Sequence, residues 1–324
     1  LNVRLHRLSL AALPEAPLAR GCAAALGNFD GVHRGHQAVA AAAVDQARRL
    51  GARPAAVVFE PHPRQFFQPE AAPFRLQTTA QRARALASLG VETLIEVRFE
   101  GPLAALSAER FADAILAKAV GASHVCVGLD FRYGQGRTGD ASALAEQGSF
   151  LGFAVTIVDA VDDSDHPGDK ISSSAIRRAL KAGDVGLAAR LLGRPWAIEG
   201  EVVEGQQRGR TIAFPTANIA LGAYLRPALG VYAIRARLAD GRRIPGVANL
   251  GVRPTIAGAD AEPLLEAHLF DLSEDLYGQT LEAELIAFIR PERRFESFAA
   301  LSAQIKDDAA TARALMRRPL SGEL

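Results

Sequence analysis

The stretch Leu26-Gly27-Asn28-Phe29-Asp30-Gly31-Val32-His33-Arg34-Gly35-His36 decides how the first half of this chain folds. It follows an apolar run that starts near Ala23 and leads into residues 37–50, where apolar side chains recur at helical spacing. Strand, glycine-bearing turn and helix in that order open a βαβ unit. The glycines at 27, 31 and 35 let backbone approach a ligand without Cβ obstruction. The helix start adds N–H groups and the positive end of the dipole, which suit a phosphate. His33 and His36 are three apart and share a face if the helix has begun there, so two imidazoles can donate hydrogen bonds to an expanding phosphorane and to departing pyrophosphate. A pair of surface histidines on a glycine-rich turn is the plainer alternative. Zinc needs a third ligand at set spacing, and only His62 or Asp30, recruited by folding, would supply it.

Outward from that stretch the same rhythm repeats. Further buried-strand runs start near Ala55, Thr93, His124 and Phe153, with helical spacing at 79–89 and at 107–120, where Ser107 is a candidate N-cap. Strand starts about 30 residues apart predict a parallel sheet covered on both faces, with ligands beyond the carboxyl ends of the strands. Three other segments follow strands. Glu60-Pro61-His62-Pro63-Arg64 is a stiff turn bearing His62 and Arg64. Gly128-Leu129-Asp130-Phe131-Arg132-Tyr133-Gly134 offers aromatic and polar groups to a planar ligand. Ile171-Ser172-Ser173-Ser174-Ala175-Ile176-Arg177 reads as a capped helix, Ser172–Lys181, whose hydroxyls, amides and Arg177 suit β and γ phosphates. Taken singly, the first reads better as a rigid loop, the second more often as core aromatics, and the third equally well as an ordinary serine cap.

Near residue 183 the pattern changes. Short β-type runs at Ile198–Val203, Val231–Leu238, Val247–Leu250, Leu264–Phe270 and Leu281–Ile289 are bounded by Gly, Pro and Asp, with Asp240-Gly241 as a hairpin signal. Closely spaced strands without helices between them predict a small antiparallel barrel. A terminal helix carries Phe298, Leu301, Ile305, Ala309, Ala312 and Leu315 on one face. The boundary falls between about 183 and 193, giving domains 1–185 and 186–324.

The second half has its own chemistry. Gly205-Gln206-Gln207-Arg208-Gly209-Arg210-Thr211 is one residue short of a P-loop, has Arg where Lys is required and leads into Phe214-Pro215 instead of a helix. It remains a candidate nucleotide loop of another kind. Thr216 and Asn218 stand two apart in extended chain and so point to one face, where neutral oxygens suit Mg²⁺ carried with ATP; a solvent-facing polar turn is the plainer alternative. Glu266, inside the apolar run Leu264–Phe270, is either an outward side chain of an alternating strand or an inward general base. Arg253, in Val247–Thr255, is a candidate phosphate or substrate contact.

Composition bounds these readings. The 324 residues are 49% hydrophobic and 23% charged, a soluble globular mixture long enough for two cores. Lys and Arg number 37 against 36 Asp and Glu, a net charge of +1, so no global field grips nucleic acid or an anionic membrane. Cys22 and Cys126 stand far apart with no metal spacing, which fits a reducing cytoplasm. The apolar stretch after Arg4 and Arg7 breaks at Pro14-Glu15, a poor leader, and the run Ala38–Val44 is far short of the ~20 residues a spanning helix needs.

Gly-Asn-Phe-Asp-Gly-Val-His-Arg-Gly-His with Ile-Ser-Ser-Ser-Ala-Ile-Arg resembles the nucleotidyltransferases with an H-x-G-H motif and a Ser/Thr-rich second motif. Phe59-Glu60-Pro61-His62-Pro63-Arg64 and Gly128–Arg137 narrow the resemblance to FMN adenylyltransferases. Gly209-Arg210-Thr211-Ile212-Ala213-Phe214-Pro215-Thr216-Ala217-Asn218, then Gly230-Val231-Tyr232-Ala233, Gly246–Thr255, Glu266–Asp271 and Asp275–Gly278, resembles riboflavin kinase. Together, from about residue 20 to residue 314, the chain resembles the bifunctional bacterial riboflavin kinase/FAD synthetase family. The resemblance implies a Rossmann-like α/β adenylyltransferase domain followed by a six-stranded β-barrel kinase domain. It implies ATP, riboflavin, FMN and FAD as substrates or products, with Mg²⁺. Carried over by position, Glu266, His33 and His36 take catalytic roles, and Thr216 and Asn218 hold the metal. Gly27, Asn28, Phe29, Asp30, His33, His36, Ser173, Ser174, Arg177, Gly205, Gly209 and Arg210 bind ATP. Phe59, His62, Arg64, Asp130 and Arg132 bind flavin. Ile212-Ala213 depart from the family's usual Leu-Gly. Small molecules are the expected partners. The rivals are an H-x-G-H transferase for another phosphate ester, predicting no riboflavin-dependent ADP release, and a non-catalytic flavin-binding regulator.

Overall fold

The computed structural model describes residues 3–203, 216–252 and 262–317. They form two compact units, Leu1–Ala71 with Thr79–Ser172 and Ala72–Thr78 with Ser173–Leu324.

The first unit is built on β1 (Arg4–Leu8), β2 (Cys22–Leu26), β3 (Pro54–Glu60), β4 (Thr93–Arg98), β5 (Ala122–Gly128) and β6 (Ala154–Val158). They lie in the order β1-β4-β3-β2-β5-β6, every neighbouring pair parallel. The strands alternate between two cores. Ala24, Leu26, Val57 and Ile95 pack on one face against Phe111, Ile115 and Leu144. Ala25, Ala56, Val58 and Leu94 pack on the other against Val39, Ala40, Ala43 and Leu86. Those cover residues belong to α1 (Arg34–Leu50), α2 (Thr79–Ser88), the helical stretch from Ala108 to Val120, and α3 (Ala141–Leu151). Ser107 caps as expected, accepting from the Arg110 N–H at 3.2 Å. The chain runs β2, β3, β4 to one side of β2, then jumps to β5 and β6 on the other. The switch between β2 and β5 opens the crevice where ligands bind in such sheets. β1 was not expected: Leu8 is its one buried residue, so its edge position leaves little apolar signal.

The second unit holds α4 (Ser173–Lys181), α5 (Val185–Leu192), and six strands: β7 (Trp196–Glu201), β8 (Ala217–Ala220), β9 (Gly230–Arg237), β10 (Arg243–Val252), β11 (Pro263–Leu269) and β12 (Thr280–Pro291). Their order is β7-β12-β9-β10-β11-β8, all antiparallel, and a bridge from Val203 to Asn218 brings β8 round to the end of β7, nearly closing a barrel. Asp240-Gly241 turns β9 into β10, with Gly241 at φ 90° and Asp240 Oδ1 accepting from the Arg242 N–H at 2.9 Å. Ile219, Leu250, Leu265, Tyr232 and Ile234 fill the inside. On the outer face Val231, Ala233, Val247 and Phe270 pack under Ala309 and Ala312 of α6 (Phe298–Met316).

Two further details differ from the sequence reading. Phe298 is 62% exposed, because α6 begins beyond the part of the sheet it covers; a buried Asp308 joins Ala309 and Ala312 on the packed face instead. Asp308 takes Arg290 of β12 through three bonds of 2.7–3.1 Å. The compact division also falls at Ser172, ahead of the 183–193 stretch where the pattern changes, because α4 and α5 pack with the barrel. Ala72–Thr78 belongs to that unit too. Arg75 pairs in parallel with Tyr224, its N–H donating to Ala223 O and its carbonyl accepting from the Leu225 N–H. Trp196 Nε1 donates to Leu76 O at 2.6 Å.

Candidate active sites

The loop between β2 and α1 is tightly wound. Phe29, Gly31 and Val32 all have positive φ (51°, 90° and 42°), a conformation that costs energy for the two non-glycine residues. Burial holds it in place: Phe29 is fully buried, with Val32 and Asp30 almost so. The Phe29 ring also lies under Gly27, where an added Cβ would sit 3.4 Å from it. His33 is the N-cap of α1, its Nδ1 accepting from the His36 N–H at 3.3 Å. The two imidazoles stack at 3.6 Å and 20°, and His36 leans on Phe29 at 5.2 Å. Gly35 gives room for this, since a Cβ there would lie 3.3 Å from the His33 ring. Among the described residues, the buried Asn28 Oδ1 has no hydrogen-bond partner. Because His33 Nδ1 accepts, the neutral ring carries its proton on Nε2, so the ring is a donor.

The other sheet-edge residues differ in setting. His62 caps a short helix, Pro63–Phe67, its Nδ1 accepting from the Arg64 N–H at 3.0 Å, which likewise fixes Nε2 as its donor; Arg64 is exposed. Phe59 faces the core against Phe99 and Phe111 and is 8% exposed, a packing position on β3. Asp130 pairs with Lys170, and Arg132 Nη1 donates to Asp140 Oδ2 at 2.9 Å. The Ala143 N–H, and after it Arg132, hold the Asp140 carboxyl below the usual carboxylate range. Ser173, Ser174 and Arg177 stand on α4, in the second unit, where Arg177 Nε donates to Phe74 O at 2.9 Å and its guanidinium covers the Phe74 ring.

In the second unit, register lines up the chemistry. Asn218 on β8 is directly across from Glu266 on β11, and Glu266 from Asn249 on β10. The row continues through Val231 on β9 to Arg290 on β12. Cross-strand partners share a face. Their sequence neighbours Ile219, Leu265 and Leu250 form the inner row, fully buried. Glu266 therefore points outward from the barrel, on the face that α6 covers, and remains half-buried. Asn218 is 2% exposed. Thr216 stands two residues before it. Gly205, Gly209 and Arg210, with Ile212, Ala213 and Arg253, lie outside the described residues. Among the described residues no group of three or more His, Cys, Asp or Glu gathers into a metal cage. The oxygens of Thr216 and Asn218 are hard and neutral, a partial donor set that fits Mg²⁺ completed by phosphates and water and does not fit a protein-caged zinc.

Comparison with known proteins follows the same division. A family model described as FAD synthetase matches residues 15–175, and one described as riboflavin kinase matches residues 192–316. The bifunctional riboflavin kinase/FMN adenylyltransferase of Pseudomonas fluorescens is 45% identical over 299 residues, covering 92% of this chain and 94% of that protein. The protein of the same description from Escherichia coli K12 is 42% identical over 309 residues, covering 95% of each. A crystal structure described as a macrolide-efflux protein from Streptococcus pneumoniae superposes with a TM-score of 0.83 at 30% identity, covering 95% of this chain and 98% of that one. The likeness to it extends to the fold; no described helix here is long and apolar enough to cross a membrane.

Proposed function

The chain belongs to the bifunctional riboflavin kinase/FMN adenylyltransferase family, and from that membership we propose how its residues divide the two reactions. It phosphorylates riboflavin to FMN with ATP and adenylylates FMN with a second ATP, giving FAD and pyrophosphate. We assign the adenylyl transfer to residues 1–185 and the kinase to residues 186–324. The observation that carries this is that of two polar constellations, one after β2 and one on the outer face of β8 and β11, each falls within the span of its own family model.

In the adenylyl transfer an FMN phosphate oxygen attacks the α-phosphorus of ATP while the bond to pyrophosphate breaks. The nucleophile is already anionic, so no protein base is needed. What the protein must supply is stabilisation of charge as it builds on phosphate oxygens. His33 offers an Nε2–H whose ring is fixed by the cap it makes, and the stacked His36 lies beside it. Gly27, Asn28, Phe29 and Asp30 form the strained turn that lets backbone meet the nucleotide, with Ser173, Ser174 and Arg177 as further ATP contacts. His62, Arg64, Asp130 and Arg132 are assigned to the flavin phosphate and ring, with Phe59 packed behind them.

In the kinase, Glu266 takes the proton of the ribityl 5′-hydroxyl as its oxygen attacks the γ-phosphorus and ADP leaves. Thr216 and Asn218 would hold Mg²⁺, which when bound would neutralise phosphate charge; Gly205, Gly209 and Arg210 are assigned to the ATP loop. The cytoplasm is the proposed setting, supported by two buried cysteines that remain free thiols.

Product analysis of riboflavin with Mg²⁺–ATP tests the assignment. Riboflavin-dependent ADP and FMN should appear together, followed by FAD with pyrophosphate. FAD formed only when FMN is supplied would remove the kinase half.

A further inference from the structure

Glu266 has an asparagine on each side of it, and only Asn218 has been given a task. On the other flank Asn249 of β10 is the direct cross-strand partner of Glu266, which sets their Cβ atoms about 4.5–5.5 Å apart on one face. Asn249 is itself held: its Nδ2 donates to Glu292 Oε1 at 3.4 Å. Glu292 lies over Gly251, where an added Cβ would run into its carboxylate. A carboxamide carries two N–H donors and a carbonyl. Glu292 takes one donor, which leaves the other N–H and the oxygen for a further partner such as the cross-strand Glu266. Among the described residues, the charged and titratable groups that register and hydrogen bonding place along this row are His268, two residues along β11, then Glu292 beyond Asn249, and the Arg290–Asp308 pair beyond Val231.

We propose that Asn249 is a positioning residue for Glu266 in riboflavin phosphorylation, steadied in turn by Glu292. The inference rests on Glu266 being the kinase base. A glutamate has three side-chain torsions, and a base works only when one oxygen is held within hydrogen-bond reach of the hydroxyl it deprotonates. An amide donor on the other oxygen fixes the carboxylate while leaving that oxygen to take the proton. The neutral amide suits the place: an aspartate would set a second negative charge against Glu266, and a lysine would weaken it as a base.

The experiment is a double-mutant cycle on the full-length protein, with steady-state kinetics of riboflavin phosphorylation. Riboflavin binding by flavin fluorescence and the thermal unfolding of each preparation report that the barrel is folded. Asn249→Ala should lower kcat by at least about tenfold, toward the about hundredfold that misplacing a reacting group costs. KM for riboflavin and for ATP should stay within about twofold, because Asn249 acts through Glu266 and not on substrate. In a Glu266→Gln background, where there is no base left to place, Asn249→Ala should cost nothing further beyond about twofold. The inference is overturned by an unchanged kcat in Asn249→Ala, by a rise in KM alone, or by an equal loss in both backgrounds. If Glu266→Gln by itself kept the wild-type rate, the base assignment would fall first. A Glu266→Gln collapse with additive loss at Asn249 would sink only the positioning role.

Discussion

Replacing His33 separates structure from chemistry, because the residue does two things with two nitrogens. Nδ1 caps α1 through the His36 N–H at 3.3 Å, and Nε2 is the donor assigned to the ATP phosphates. His33→Ala removes both. His33→Asn keeps an oxygen that caps well but has no Nε2–H at the same reach. Losing the cap costs about 1 kcal/mol, and the long bond here points to the lower side of that range. Against a stability of about 5–15 kcal/mol, that loss leaves more than about 99% of molecules folded. It lowers the melting temperature by roughly 2–4 °C at most. Losing the transition-state donor costs about 10²–10³ in rate. Activity loss from unfolding is therefore negligible beside activity loss from chemistry. Pyrophosphate release from FMN and ATP should fall by about 10²–10³ in both variants. Only His33→Ala should melt earlier, and riboflavin phosphorylation should be intact in each. A His33→Asn enzyme with near wild-type adenylylation would show that the cap is all His33 provides. Loss of both activities in a folded protein would refute the two-site division.

Other outcomes follow from particular contacts. Glu266→Gln keeps the side-chain volume but cannot take the ribityl proton, so phosphorylation should drop by about 10²–10⁴ and FAD should form only from added FMN. Asn218→Ala should raise the Mg²⁺ needed for half-maximal kinase turnover far more than it weakens riboflavin binding measured by flavin fluorescence; an unchanged Mg²⁺ titration would remove Asn218 from the metal site. Asp308→Ala strands Arg290, which has three bonds to that carboxylate. The loss should be about 3–5 kcal/mol, nearer the lower figure since Arg290 can still reach water, read as a lower urea midpoint for kinase inactivation. Burial pushes the Cys22 and Cys126 thiols up to about 12. Both should resist iodoacetamide at pH 8 until the protein is denatured. Since the folded state then holds protons that the unfolded state releases, their contribution to stability should decline between about pH 9 and about pH 12.

The sheet was legible because its strands are nearly continuous apolar runs set between helical patterns. The expected strand starts lie within two residues of Cys22, Pro54, Thr93, Ala122 and Ala154. Ser107, Asp240-Gly241 and the glycine loop were legible because each carries local chemistry that neighbours in sequence determine. Register is different. That Glu266 lies between Asn218 and Asn249, and that its face is the outer one under α6, depends on pairings between segments tens of residues apart. A half-buried carboxylate in an apolar run reads the same whichever way it points. The use of His33 as a cap through its imidazole was hidden as well, since histidine is not a residue that signals a helix start. Phe298 failed for another reason: helical spacing gives the apolar face but not where the sheet beneath it ends.

The segment Ala72–Thr78 bears on the order in which this protein is made. Its Leu76 carbonyl meets the Trp196 indole, 120 residues later in the chain. At roughly 5–20 residues per second, a ribosome delivers that partner on the order of ten seconds after the segment emerges. Through that interval the segment ahead of α2 waits for the Ala223, Leu225 and Trp196 groups it bonds in the finished fold. The same threading sets a rule for chimeras. A kinase half exchanged between relatives at one junction leaves the new barrel with its host's strap, so residues 72–78 must travel with the graft as a second, internal exchange.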